Sequence, residues 1–449
     1  MISNQNISDQ MTTQTLTQPE VKTLSAFNRD AVARLSALKS EPEWMRQKRF
    51  EAWLAYDSQP LPRWERTDIR KLNFNALVPV VEPRETKQLD QIDATDTEAR
   101  GGYMLHSEGS LIASRLDQSL AAKGVIFTDL DTALKSHPEL VQKHFMTECV
   151  TAQQGKFQAL NGAFWNGGVF LYVPKNVEIE LPIASRIILE STGIAYCSHT
   201  LIVLERGAKL TYLDSHTSPP NTGDVLYDGI TEVFVGEGAQ FTHIQLQDWG
   251  QNVWDLSTRR VILDRDSSLL SVAITLGSKL SKLNIETVLN GEGSSAEMKG
   301  LFFAKHGQHL THDTLQEHVV PHTTSDLLYK GALQGQSRSV FEGMIRVHKD
   351  AQKTNAYQAS RNLLLDTQAR ADALPMLEIG ANDVRCTHGA TVGPVDKEHV
   401  FYLRTRGISK ADAERLMVRG FFDPVMRKIA IDDVRNAIWK QIDEEIMKS

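Results

Sequence analysis

The chain has 449 residues, 56 acidic against 49 basic, for a formal charge of -7, with 41% hydrophobic and 23% charged residues. That composition allows a large core and excludes a wholly disordered chain, and the acidic balance without a basic stripe argues against a nucleic-acid partner. Three cysteines, Cys149, Cys197 and Cys386, are too few and too scattered for a disulfide framework, which points to a reducing compartment.

The first twenty residues are polar, with no basic residue before Lys22, unlike a signal or transit peptide. A loose tail over 1–20 and a cytoplasmic location are expected. No apolar run approaches the length that spans a bilayer, so no membrane partner is expected. Ser25 is placed to cap a helix carrying Phe27, Ala31, Leu35 and Leu38 on one face, and a second helix runs from Trp44 to about Tyr56, ending at Pro60-Leu61-Pro62. Residues 72–160 are mixed, with a polar loop over Glu82 to Glu98 and a helix from Pro138 to Thr151 that holds Cys149 as a small core residue. Residues 21–160 thus read as a mainly helical region.

From about Val169 to Pro394 the pattern changes to period two: Val177, Ile179, Leu181 and Ile183 alternate, as do Leu270, Val272, Ile274 and Leu276. A turn recurs through the array at Gly207, Gly238, Asp266 and Gly293, roughly 30 residues apart, within the period of solenoids and propellers. Gly and Asp suit a corner that needs positive φ or a local side-chain hydrogen bond. Such corners fit a parallel β-helix over 161–394, in which each circuit buries its apolar face on the next; a meander or a propeller is the alternative. Cys197 lies within the array, where an inward core thiol is the ordinary reading and sulfur relay the functional one.

Two groups in the array carry metal-ligating side chains. His306, His309, His312, His318 and His322, with Asp313 and Glu317, are the densest imidazole cluster. On an unbroken strand His306, His312, His318 and His322 share a face, as a metal site requires, but no spacing such as His-Glu-x-x-His is present and stacked polar side chains also line solenoid faces. Cys386 and His388 are two residues apart, so a strand projects a thiol and an imidazole to the same side. That pair suits iron, zinc or an iron–sulfur cluster, yet two ligands leave the shell incomplete and a second subunit is the expected source of the rest.

Residues 395–449 become helical. Ser409 is placed to cap a helix bearing Ala413, Leu416 and Met417 that stops at Gly420, Asp423-Pro424 starts another, and Asp432 caps a last one with Val434, Ile438, Ile442 and Ile446. This appendix reads as a cap over the open end of the stack, as a docking module, or both.

The segments Leu377-Glu378-Ile379, Arg385-Cys386-Thr387-His388-Gly389-Ala390-Thr391-Val392-Gly393 and Phe401-Tyr402-Leu403-Arg404-Thr405-Arg406-Gly407-Ile408 closely resemble the end of the SufB/SufD family of iron–sulfur cluster assembly scaffolds. So do Val340-Phe341-Glu342-Gly343, Ala351-Gln352-Lys353-Thr354, Tyr357-Gln358, Asn362-Leu363-Leu364-Leu365 and Phe170-Leu171-Tyr172-Val173-Pro174-Lys175. Cys-Thr-His-Gly-Ala-Thr-Val-Gly is similar to the SufD form, whereas SufB members tend to carry Glu-His-Glu-Ala-Thr there. The resemblance implies a right-handed parallel β-helix between two helical regions, pairing with SufB through the β-helix and with the ATPase SufC through the C-terminal helices. It also implies a transient iron–sulfur cluster or iron at the subunit interface, with His388 at the position of the SufD histidine implicated in assembly and Cys386 beside it. A reduced flavin on the assembled complex and self-pairing of the isolated chain are compatible with it. Family sulfur-relay cysteines belong to SufB, so Cys149 and Cys197 inherit no role. No Gly-x-x-x-x-Gly-Lys-Ser/Thr loop is present, so ATP hydrolysis is expected from the partner.

Three competing readings stand beside this one, one of them a purely structural partner protein with no cluster contact, in which His388→Ala would leave assembly intact. A SufB-like paralogue holding the main sulfur acceptor is disfavoured by the absence of cysteine between Cys197 and Cys386. A polysaccharide-acting β-helix enzyme would need paired carboxylates in a groove, and no such pair is identifiable in the sequence.

Overall fold

Strands account for nearly half of the described residues beyond residue 100, and their order explains the architecture. The computed structural model describes residues 26–82 and 99–447; the expected 1–20 tail, Ser25 and the Glu82–Glu98 loop beyond its first residue lie outside them. The strands are β1 (Val78–Pro79), β2 (Gly102–Ser107), β3 (Ser110–Leu116), β4 (Ile126–Asp129), β5 (Val169–Val173), β6 (Ile183–Ile188) and β7 (Ile194–Leu204). Next come β8 (Lys209–Thr217), β9 (Val225–Val235), β10 (Gln240–Asp248), β11 (Val253–Asp255), β12 (Thr258–Leu263), β13 (Ser268–Thr275) and β14 (Leu280–Leu289). The series closes with β15 (Ser295–Ala304), β16 (His309–His318), β17 (Thr324–Leu333), β18 (Arg338–Val347), β19 (Asn355–Leu364), β20 (Arg370–Ile379) and β21 (Arg385–Pro394).

Among the described residues these strands form an 11-stranded sheet, ordered β20-β18-β16-β14-β11-β9-β7-β5-β4 with β1 on β7 and β12 between β9 and β14, and a 10-stranded sheet, ordered β21-β19-β17-β15-β13-β10-β8-β6-β2-β3. From β5 onward successive turns pair in parallel, so the chain winds through about eight circuits as a parallel β-helix. The sheets reach further toward the N-terminus than the alternating pattern indicates, because β2 adds to β6 in parallel and β4 adds to β5 antiparallel.

One corner of each circuit explains the recurring turn. Gly207, Gly238, Asp266 and Gly293 all have positive φ, from +53° to +78°. At that corner three of the four N–H groups reach the next circuit: Gly207 donates to the Glu237 carbonyl, Gly238 to Arg265 and Asp266 to Glu292, at 2.8 to 2.9 Å. The ladder extends to Asn176, His322 and Lys353, where the left-handed conformation is taken by residues with a Cβ and is therefore invisible to a search for glycine.

Both sheets are covered on the outside, which corrects several expected faces. Leu270, Val272, Ile274 and Leu276 face away from the lumen, packing with Val418, Phe422, Val425 and Ile438 of the C-terminal helices. The helical appendix therefore lies along the outer face of the 10-stranded sheet and does not cap its open end. Leu181, expected beside Ile179 and Ile183, is exposed in a bend before β6.

The first helix, Arg29–Lys39, is capped by Asn28, whose side chain accepts from the Ala31 N–H at 2.9 Å, and leaves Leu38 exposed. It packs with the helices Glu43–Ser58 and Lys156–Phe164 on the outer face of the 11-stranded sheet, against Ala195, Cys197, Leu226 and Trp254. The helix at Pro138 ends at His144, with Met146 at positive φ, so Cys149 sits in the following segment, buried, with its thiol 3.2 Å from the Arg260 carbonyl. Near the C-terminus Gly420 and Pro424 do not divide the chain: Lys410–Met426 is one helix, because Val418, Phe422, Val425 and Met426 continue a single buried face across them.

The two ends of the winding differ. At the N-terminal end the β2–β3 hairpin and β4 close the sheets. At the other, β20 and β21 are terminal strands and largely exposed.

Candidate site at the open end of the helix

The last strand inherits its geometry from the one beneath it. In β21, Cys386 is in register with Ala356 and His388 with Gln358 of β19. Ala356 and Gln358 are buried in the lumen, and paired residues of parallel strands share a face, so Cys386 and His388 both project toward the lumen in its final turn. Across the mouth, Leu377 and Ile379 of β20 stand over Ile345 and Val347 of β18. Ile345 is fully buried while Leu377 and Ile379 are each 38% exposed, which measures what one missing turn of cover does.

Gln358 forms the floor of this mouth. Its amide nitrogen donates to the Gly343 carbonyl (3.2 Å) and to the Met376 carbonyl (3.1 Å), tying the two sheets together beneath His388. Gly343 is required there, since a Cβ at that position would lie 2.3 Å from the Gln358 side-chain oxygen. That oxygen is buried and has no partner among the described residues. His388 is exposed; Cys386 is half-buried beside Ala356, Ala381 and Val384, and burial pushes its thiol up, against a smaller opposing hydrogen bond from the Ala356 backbone. Only a metal, or a neighbour supplied from outside, would hold it as thiolate at neutral pH.

The histidine cluster of the sequence is dispersed. His306 and His322 are corner residues at positive φ, outside β16, so the strand that would have aligned them is broken at both ends. Within β16, His312 and His318 are buried and His309 partly so, each ring held by threonine or serine hydroxyls. Among the described residues no group of three or more His, Cys, Asp and Glu side chains is arranged to hold a metal ion. Cys197 faces outward under the N-terminal helices, and burial raises its thiol well above the ordinary range, as it does that of Cys149. Neither is a nucleophile in this setting.

Sequence reasoning missed Gln358 and the apolar pair Leu377 and Ile379 as parts of the site. The strand register reveals them, because every mouth residue lies about one circuit from a buried counterpart.

The chain is thus a parallel β-helix whose last turn is uncovered, with one soft and one nitrogen donor side by side at its mouth. Residues 187–421 match the SUF system FeS cluster assembly SufBD core domain and residues 33–184 the SufBD protein N-terminal region; the chain belongs to the SufBD family of iron–sulfur cluster assembly proteins. It is similar to an iron-sulfur cluster assembly SufBD family protein of Staphylococcus haemolyticus (strain JCSC1435), 29% identical over 416 residues that cover 89% of each chain. A protein of the same description from Staphylococcus aureus (strain MRSA252) matches at the same identity and coverage. No helix of the described residues is long and apolar enough to cross a membrane.

Proposed function

We propose that this chain is the SufD-type, non-ATPase subunit of a Suf assembly complex, pairing with a SufB-like paralogue across β20 and β21 and sharing a nascent cluster as cargo at that interface. The observation that carries this reading is Cys386 and His388 side by side on the bare terminal strand. An exposed sheet edge is a template for a partner's strand, and Leu377, Ile379 and Val392 add apolar area that water covers poorly. Two donors from this chain and two from its partner complete a four-ligand shell.

Docking of a SufC-type ATPase is supported by the helix Lys397–Thr405, which buries none of its residues and leaves Phe401 67% and Tyr402 56% exposed. Nucleotide-driven motion then reaches the mouth through the C-terminal helices, which lie along the 10-stranded sheet that ends in β21. A reduced flavin, as electron donor to the complex, belongs to the same proposal, and so does a cytoplasmic location.

The test is iron and acid-labile sulfide measured on the copurified complex. Cys386→Ala and His388→Ala should each lower both by more than half while the three subunits still copurify. Phe401→Asp should lose the ATPase from the same preparation and keep the paralogue. Full cluster content in both mouth variants would refute the assignment of the site.

A further inference from the structure

We infer that the cleft between the outer face of the 10-stranded sheet and the helix Asp432–Met447 is a binding site for a small molecule with an apolar body and a single oxyanion head, held by Arg186. The cleft has a volume of about 370 Å³, at the small end of ligand sites. Tyr103, Leu213, Ile244, Leu246 and Val434 line it with Arg186. The sheet puts Ser185 and Ile187 in the lumen, so Arg186 between them faces outward into the cleft, level with Ser215 of β8.

The two arginines of this cleft are in different states. Arg100 is paired with Asp433 at the start of the helix. Arg186 meets no carboxylate within ion-pair distance among the described residues: one terminal nitrogen lies 3.4 Å from the Thr217 hydroxyl, and its Nε is buried with no partner. A buried donor on an uncompensated guanidinium costs free energy that a bidentate oxyanion recovers, and the planar fork matches a carboxylate. The apolar lining takes the rest of such a molecule. A ligand here touches the sheet on one side and Val434 on the other, so its binding fastens the last helix to the β-helix.

Octanoate is the probe, titrated calorimetrically against the full chain at concentrations well below its micellar range, with octanol as the same body lacking charge. Saturable one-to-one binding of octanoate is expected, at least tenfold weaker for octanol and at least tenfold weaker in Arg186→Gln. Ala437→Trp, at an exposed position on the helix side of the cleft, should abolish it with the circular-dichroism melt unchanged. If Ala437→Trp perturbs the melt, the Arg186→Gln and octanol arms decide. Non-saturable uptake, or equal affinity for octanoate in the native chain and Arg186→Gln, would overturn the proposal.

Discussion

The histidines of β16 and the Cys386–His388 pair of β21 are alike in residue type and unlike in every physical respect. His312 stacks on Phe302 with ring centroids 4.9 Å apart and sits 3.0 Å from the Thr275 hydroxyl; His318 lies between the Thr323 and Ser325 hydroxyls at 2.7 and 2.8 Å. Each has neighbouring turns on both sides. His388 has one neighbouring strand and an open flank. Place in the winding, more than the residue, decides whether an imidazole becomes packing or stays available to a ligand, because an interior turn desolvates the groups it encloses.

The largest consequence of that difference is acid sensitivity. Burial lowers His312 to about 3 and His318 to about 4; burial together with Arg259 lowers His243 to about 3, burial and Arg338 lower His309 to about 4, and burial lowers His106 to about 4. The unfolded chain takes up protons at these residues below about pH 6.5 while the folded chain does not, so stability falls as the pH drops through that range. Each neutral buried ring contributes a loss of roughly 2 kcal/mol at pH 5, and several together approach the whole stability of a domain. His216 runs the other way: burial opposes its charge, but the Asp214 carboxylate 3.1 Å away raises it, so its contribution holds at low pH and is lost as pH rises through its raised value. Urea midpoints should therefore fall steeply from pH 7 to pH 5. Equal midpoints would show that these rings take up protons in the folded chain as readily as in the unfolded one.

Next in size is the direct exchange of one ring against the other. His312→Ala leaves a cavity between Phe302 and Tyr329 and should cost about 2–4 kcal/mol in urea unfolding. His388→Ala, on an exposed edge, should stay within about 0.5 kcal/mol. Comparable costs for the two would mean that His388 is packed in solution.

The sequence made the winding legible, because four of the positive-φ corners are occupied by glycine or aspartate and the strands between them alternate. It also exposed Cys386 and His388 as neighbours on one strand face. It did not reveal which apolar face of a strand meets the lumen: Leu270, Val272, Ile274 and Leu276 alternate as they would inside, yet pack under helices more than 140 residues further along the chain. A strand buried on both sides carries two apolar faces, and local pattern has no means of assigning either. The histidine cluster misled for a related reason. Parity extends only as far as the strand, and His306 and His322 occupy corners that glycine would have advertised.

The smallest perturbation is also the sharpest probe, since counting thiols leaves the fold untouched. Cys149 and Cys197 are buried, and only local or global opening would expose them to a reagent, whereas Cys386 is partly exposed at the mouth. A maleimide should modify one thiol per native chain and three after denaturation. The raised thiol of Cys386 makes its reaction slow near pH 7 and faster with rising pH, as the thiolate is the reacting form. In the copurified complex the same cysteine should be protected, by a partner strand or by the cluster, and removing iron with a chelator separates these two causes: protection that survives chelation comes from the partner's surface, and protection that is lost comes from ligation. Two or three reactive thiols in the native chain would place the open surface of this molecule elsewhere than at its last turn.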